Sequence, residues 1–194
     1  RDGDVVPDTL PFDFPVVVKL ISADLPHKTE AGAIRVGLTG RSALERAIAE
    51  MQAAAETHAA GYAREGVLVQ QMISGVGEVL VGLTVDPLVG PVVTVGMGGV
   101  MTEIYRDTAV RPAPVSAESA CDMIREIKGM ALLRGFRGKP AGDLAALAEA
   151  IAAISTLALH PRICEAEINP LLVGETGKGV MLLDALIRLT EGAG

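Results

Sequence analysis

The chain has 194 residues, a mass of 20.1 kDa and a formal net charge of −7, from 17 Lys and Arg against 24 Asp and Glu. That length suits one domain or two small lobes, and 49% hydrophobic residues provide for a packed core and argue against disorder. The acidic balance, the 3% aromatic content and the lack of Trp exclude a chain-wide basic footprint for nucleic acid or anionic membrane and an aromatic platform for single strands.

Pro7, Pro11 and Pro15 mark an irregular leader over residues 1–13. Phe14 to Leu20 reads as a buried strand, β-branched and bounded by a proline. Ser22 to Ala31 is polar, contains Pro26 and reads as a loop, followed by a second strand from Gly32 to Leu38. Ser42 with Glu45 three residues on predicts a capping box. It opens a helix whose Leu44, Ala47, Ile48, Met51, Ala54 and Ala55 share one face, and Gly61 ends it. Gly66 to Met72 is a third strand. Glu78 to Val85 and Pro91 to Val95 form a hairpin around Asp86–Gly90, and Gly96 to Gly99 is a loop. Two helices follow. Ser116 caps one with Ala120, Met123, Ile124 and Ile127 inward. Gly142 or Asp143 opens the other, with Leu144, Leu147, Ile151, Ile154 and Ala158 inward. The chain closes with a hairpin of Ile163–Val173 and Val180–Ile187 around a glycine-rich turn. This order predicts an α+β protein with mixed or antiparallel sheets in two lobes, because helices do not alternate with strands as a doubly wound sheet requires.

The mean hydropathy of +0.39 raises the question of a membrane span. Glycines and Pro91 interrupt the most apolar stretch, Pro87 to Met101, well short of the ~20 residues a membrane helix needs. No secretory signal opens the chain, and a start at Arg1 without Met is expected of a fragment or a processed chain. Cys121 and Cys164 show no metal or redox spacing and read as reduced thiols of a cytoplasmic protein.

Two familiar nucleotide motifs are excluded. Gly174 to Gly179 has the wrong spacing for a P-loop, and Gly96 to Met101 has no third glycine in the dinucleotide register. A constellation remains. Lys19, at the end of the first buried strand, reads either as a solvated edge charge or as a phosphate ligand on a rigid platform. His27 and Lys28 lie in the loop after it, which reads as a solvated loop or as a lid closing on anionic phosphates. Glu167 and Asn169 are two apart on a strand and leave the same face. Asp184 lies on the partner strand. Two carboxylates and an amide are hard oxygen donors suited to Mg²⁺ shared with phosphates; the alternative is the polar face of a hairpin.

Together these segments resemble the ATP-grasp domain of the NDP-forming (ADP-forming) acyl-CoA synthetases, relatives of succinyl-CoA synthetase β chains. The resemblance rests on Phe14-Pro15-Val16-Val17-Val18-Lys19, His27-Lys28, Val67 to Met72, Gly77 to Pro87, Gly96 to Glu103, Arg106-Asp107 to Arg111, Glu167-Ile168-Asn169-Pro170-Leu171 and Asp184-Ala185. It runs from about Phe14 to Ile187. Each segment is weak alone; their order and spacing are specific.

The resemblance implies an ATP-grasp fold, two α+β lobes enclosing a nucleotide cleft, with lobes at residues 14–70 and 71–190. It implies ATP/ADP and Mg²⁺ as cofactors. Lys19 would contact the ATP phosphates, and the Gln70-Gln71-Met72 hinge would present backbone groups to adenine. Glu78 would reach the ribose, and Glu167, Asn169 and Asp184 would hold Mg²⁺. His27 and Lys28 would be the catalytic pair, with Arg106 and Arg111 either helping or lying in solvent. Phosphoryl would pass between ATP/ADP and a phosphohistidine on a CoA-binding and CoA-ligase partner domain or subunit, which would also bind the acyl substrate. A regulatory module fused to a lysine acetyltransferase is the alternative reading. A third is a carboxylate–amine ligase acting alone.

Overall fold

In a computed structural model of the protein, residues 6, 9–24, 31–63, 65–98 and 107–190 are described. They belong to two compact units, Arg1–Ile73 and Ser74–Gly194. Among the described residues, no helix is long and apolar enough to cross a membrane.

The first unit contains β1 (Val16–Ile21), β2 (Ile34–Leu38), α1 (Arg41–His58) and β3 (Gly66–Gln71). The strands form an antiparallel sheet in the order β2-β1-β3. Alternation along β1 sends Val16, Val18 and Leu20 into one core with Leu44, Ala47, Ile48, Met51 and Ala55 of α1, the face that the helical spacing predicts. The start of α1 differs from expectation. Its N-cap is Gly40, without a side-chain cap, and Ser42 lies inside the helix. The reason is Arg41. Its Nε donates to Glu45 Oε1 at 2.9 Å and its Nη2 to the Val6 carbonyl at 2.8 Å, so the carboxylate that a capping box needs is already held one turn along.

The second unit contains β4 (Gly77–Asp86), β5 (Gly90–Met97), β6 (Thr108–Pro112), α2 (Ala117–Glu126), α3 (Leu144–Ser155), β7 (Ile163–Val173), β8 (Val180–Leu182) and β9 (Ala185–Leu189). Its sheet runs β6-β5-β4-β7-β8, with β9 also paired to β7, and every pairing is antiparallel. Val79, Val81, Val93, Val95, Ile168 and Leu171 pack on Met123, Ile124, Leu147 and Ile151 of the helices. Helices therefore cover one face of the sheet, and strand alternation turns every second side chain to the other. The Asp86 Oδ1 acceptor for the Leu88 and Val89 N–H groups and Gly90 at φ 83° form the predicted β4–β5 turn. The edge strand β6 was not foreseen: Thr108-Ala109-Val110-Arg111-Pro112 has no apolar run. The predicted returning strand is split into β8 and β9 at Leu183–Asp184.

Both described α-helices of the second unit have side-chain N-caps. Ser116 accepts from Ser119 N at 3.1 Å. Asp143, rather than Gly142, caps α3 by accepting from Ala146 N at 3.1 Å. The second Asp143 oxygen accepts from Gly177 N at 2.9 Å and Gly179 N at 3.0 Å, in the β7–β8 turn. Bonds from the Ala146, Gly179 and Gly177 N–H groups favour the ionised carboxylate and outweigh its desolvation, holding the carboxyl below its ordinary value near 3.8.

Two predictions arise. A Cβ at Gly75 would lie 2.5 Å from the Val173 carbonyl oxygen and 2.7 Å from Leu172 Cγ, and that carbonyl already accepts from Val76 N at 2.7 Å. Gly75→Ala is expected to destabilise the fold by about 1–3 kcal/mol in denaturant titration, the range for overpacking. A carboxyl with a lowered folded-state pKa contributes stability that is present in full above its unfolded value and is lost as pH falls through the folded value. The destabilisation caused by Asp143→Ala should therefore be largest above about pH 3.8 and shrink on acidification, as read from stability curves at several pH values.

Candidate functional site

In the first unit, Lys19 is not at the strand end but inside β1, the central strand, opposite Leu68 of β3 and Ile34 of β2. It points away from the α1 core and is 4% exposed, which removes the solvated edge charge as a reading. Burial of an ammonium is costly without compensation; the butyl stem packs while the charged end seeks polar partners. Gln70 pairs with Val17 and shares the Lys19 face of the sheet. The Met72 N–H is already committed to the Pro15 carbonyl at 3.1 Å. Bonded residues alternate along an antiparallel pair, so Gln70 turns its backbone groups to β1 and Gln71 turns its own away. Gln71 thus has a backbone donor and acceptor facing outward, immediately before the unit boundary. Ala31 and Ala33 are buried, and Gly32 between them takes φ 65° against Ala54. His27 and Lys28 lie outside the described residues, as does Arg106.

In the second unit the relevant surface is the sheet face away from α2 and α3. Gly82 pairs with Thr94 on one side and Glu167 on the other, and Glu167 with Leu186. This row of side chains therefore shares that face. Glu78, four residues before Gly82, is on it too; it is exposed, and its carbonyl accepts from Gly98 N at 2.7 Å. A Cβ at Gly98 would come within 3.0 Å of the Glu78 and Val79 backbone, so glycine permits this approach. Arg111 is elsewhere. It pairs with Val93, on the helix-covered face, and its guanidinium is held by Glu126 of α2. Packing against that helix removes it from the site face.

Strand β7 carries a bulge that alternation alone does not predict. Val79 faces Leu171 and Val81 faces Ile168, so two steps on β4 match three on β7. Asn169 and Pro170 absorb the extra residue, and Ile168 and Leu171 both stay in the core. Asn169 Nδ2 donates to Glu167 Oε1 at 3.2 Å. Asn169 N donates to the Asp184 carbonyl at 3.2 Å, and Leu183 N to the Pro170 carbonyl at 3.0 Å. Asp184 Oδ1 accepts from Ala185 N at 3.1 Å. At the bulge Asn169 thus bonds the Glu167 carboxylate through its side chain and the Asp184 carbonyl through its backbone. Two carboxylates and an amide oxygen fit a hard divalent cation that keeps other ligands, as Mg²⁺ does when it shares phosphates. Among the described residues no group of three or more His, Cys, Asp or Glu forms a cage. The Asn-Pro pair inside a strand, and Gly82 within β4, are the sequence signals that mark this bulge and its uncluttered neighbour.

A family model described as an ATP-grasp domain matches residues 6–189. The chain is 38% identical over 169 residues to an ADP-forming acetate–CoA ligase I of Archaeoglobus fulgidus, covering 87% of this chain and 24% of that protein. It thus spans about a quarter of that relative. It is 36% identical to the β subunit of ADP-forming acetate–CoA ligase I of Pyrococcus furiosus, covering 84% of this chain and 70% of the subunit. Among solved structures, the dinucleotide forming acetyl-coenzyme A synthetase 1 of Ca. Korarchaeum cryptofilum, in complex with coenzyme A, Ca-AMPCP and HgCl⁺, superposes with a TM-score of 0.85 at 34% identity over 91% of this chain and 77% of that chain. A second structure of that enzyme holds coenzyme A and Mg-AMPPCP, with its phosphohistidine segment pointing towards the nucleotide binding site. It superposes at 0.75 with 31% identity, over 92% of this chain and 78% of that one. The fold is that of an ATP-grasp protein.

Proposed function

The chain belongs to the ATP-grasp domain family, and from that premise we propose that it is the nucleotide-handling part of an ADP-forming acyl-CoA synthetase. The observation that supports the reading is the bulge at which Asn169 bonds Glu167 and the Asp184 main chain, with Glu167 on the sheet face that also bears Glu78 and Gly82. The likeness to named ADP-forming acetate–CoA ligases and to a synthetase holding magnesium and a nucleotide analogue supports it.

In this reading Lys19 neutralises phosphate oxygens of ATP or ADP, and the outward backbone of Gln71, with Gln70 and Met72 beside it, meets adenine. Glu78 meets the ribose. Glu167, Asn169 and Asp184 hold Mg²⁺, which supplies charge neutralisation at the phosphates when bound. Phosphoryl transfer asks a protein for positioning and charge more than for covalent chemistry, and these residues provide both. The bond from the terminal phosphorus to the ADP oxygen breaks, and a bond from phosphorus to a histidine nitrogen of a CoA-ligase partner domain or subunit forms. The reverse step regenerates ATP. His27 is a second acceptor within that net transfer: phosphorus bonds to a His27 nitrogen as its bond to the ADP oxygen breaks, and the His27 bond breaks in turn as the partner's histidine takes the phosphoryl group, with Lys28 beside it. The partner binds coenzyme A and the acyl substrate, and the whole assembly works in the cytoplasm.

Titration calorimetry with Mg-ADP tests the reading. The wild-type chain is expected to bind, and Lys19→Ala to weaken binding by about 2 kcal/mol or more, the cost of a lost charge-assisted contact; heat-silent titration of wild type would contradict it. Gly82 gives a second test. A Cβ there meets only Leu80 Cδ2, at 3.9 Å, and valine suits a strand better than glycine. Gly82→Val should keep or raise the thermal midpoint while weakening Mg-ADP binding, because its side chain rises beside Glu167. With the partner supplied, His27→Ala should abolish phosphoryl transfer and leave nucleotide affinity largely intact, as read by a radiolabelled phosphate assay.

A further inference from the structure

Strand β8 has three residues, Val180–Leu182. Met181 is 53% exposed and Leu182 48%; among its side chains only Val180 packs against the core. Burial therefore specifies its register against β7 weakly, and a strand so placed is prone to slip. Asp184, two residues beyond β8, is held from the β9 side by Asn169 N, by the neighbouring Leu183 N–Pro170 bond and by the Ala185–Ile168 pairing; β8 must keep the same register for it to stay there, because a one-residue slip turns each side chain to the opposite face. The turn that feeds β8 is closed by Gly174 N donating to the Gly179 carbonyl at 2.9 Å and Lys178 N to the Glu175 carbonyl at 2.7 Å. Gly177 takes φ 80° and Gly179 φ 73°, and glycines leave a turn with many alternatives.

The turn is also attached to the start of α3. Asp143 Oδ2 accepts from Gly177 N at 2.9 Å and Gly179 N at 3.0 Å. Asp143 N donates to the Gly174 carbonyl at 2.9 Å, and Thr176 N to the Ala141 carbonyl at 3.0 Å. Thr176 Oγ1 donates to the same Ala141 carbonyl at 3.2 Å. The other Asp143 oxygen is occupied by Ala146 N, so one carboxylate fastens a helix to a turn. The helix is itself anchored, with Leu147 and Ile151 in the core.

We infer that Asp143 is a positioning residue for the metal-binding ribbon: by clasping the β7–β8 turn to the N-terminus of α3 it keeps β8 in step with β9 and so secures the placement of Asp184 between them. The inference rests on the Mg²⁺-nucleotide reading proposed above. Asp143 touches none of Glu167, Asn169 or Asp184 in the hydrogen bonds described; its effect runs through Gly177, Gly179 and the ladder Val173–Val180, Leu172–Met181 and Leu171–Leu182.

Asp143→Ser separates this role from simple helix capping. Serine is as good an N-cap as aspartate, but one hydroxyl cannot cap α3 and also hold two turn amides. Two readouts are taken on the full chain. One is the cross-strand nuclear Overhauser contact between Leu171 and Leu182. The other is the Mg²⁺ concentration at half-saturation of ADP binding, with Mg²⁺-free ADP affinity measured alongside. Asp143→Ser is expected to lose the cross-strand contact and to raise the half-saturating Mg²⁺ concentration by about tenfold, as loss of a group that orients metal ligands does, while Mg²⁺-free affinity stays within about twofold of wild type. Thr176→Ala, which removes one hydroxyl bond to the same strap, should shift both readouts the same way by less. A folded Asp143→Ser chain with the wild-type cross-strand contact, or with unchanged Mg²⁺ dependence while wild type binds Mg-ADP normally, overturns the inference. If Asp143→Ser fails to fold, unchanged readouts in Thr176→Ala overturn it. A wild-type chain that keeps the Leu171–Leu182 contact but binds ADP with no response to Mg²⁺ overturns the metal reading and this inference with it.

Discussion

Among the described residues helices lie on only one face of the second sheet, and the rest of that unit depends on this asymmetry. Val79, Val81, Val93, Val95, Ile168 and Leu171 are buried against α2 and α3. With a side-chain period of two, the residues between them have nowhere to go but the opposite face. Glu78, Gly82, Thr94 and Glu167 are placed there by the same forces that build the core. The bulge at Asn169–Pro170 is where the pattern is broken. Without it, holding both Ile168 and Leu171 in the core would be impossible, because they are three apart. The extra residue is absorbed by an amide side chain that bonds to Glu167 and a backbone N–H that bonds to Asp184. Core packing and the gathering of polar donors are thus one structural event.

The first unit follows a parallel logic on a smaller scale. Alternation along β1 sends three valine and leucine side chains to α1 and places Lys19 on the reverse face. A central strand has no solvated edge, so the ammonium is buried and its position is set by strands on both sides. Rigid mounting of a single charge is useful where a phosphate must be met without reorganisation. Gln70, on the same face, and the outward backbone of Gln71 add polar groups that the sheet does not consume.

Much of this was legible in the residues. The α1 face from Leu44 to Ala55, the cap at Ser116, the turn at Asp86–Gly90 and the α+β order of elements all follow from periodicity and turn chemistry, which are local. What was not legible depends on distant partners. Ser42 and Glu45 satisfy a capping box on paper, but Arg41 claims the carboxylate and the helix begins at Gly40. Strand β6 exists because Val92 to Gly96 offers it an edge, not because Thr108 to Pro112 is apolar. Arg111 looks like a cation near a glycine loop, yet its register with Val93 puts it on the wrong face. The split of the last strand at Leu183–Asp184 answers the bulge on β7, a pairing that only the folded ladder reveals. Asn169-Pro170 inside an apolar run was the visible hint.

The claim that Glu167, Asn169 and Asp184 form one divalent-cation site on the sheet face away from α2 and α3 has a direct measurement. Mn²⁺ in place of Mg²⁺ relaxes nearby amide protons, and a titration of the isotope-labelled chain with Mn-ADP maps where the ion sits. The expected result is selective broadening of the amides of Gly82, Glu167, Asn169 and Asp184, abolished in an Asp184→Ala chain that keeps its fold. Broadening centred elsewhere, or equal broadening in Asp184→Ala, would contradict it.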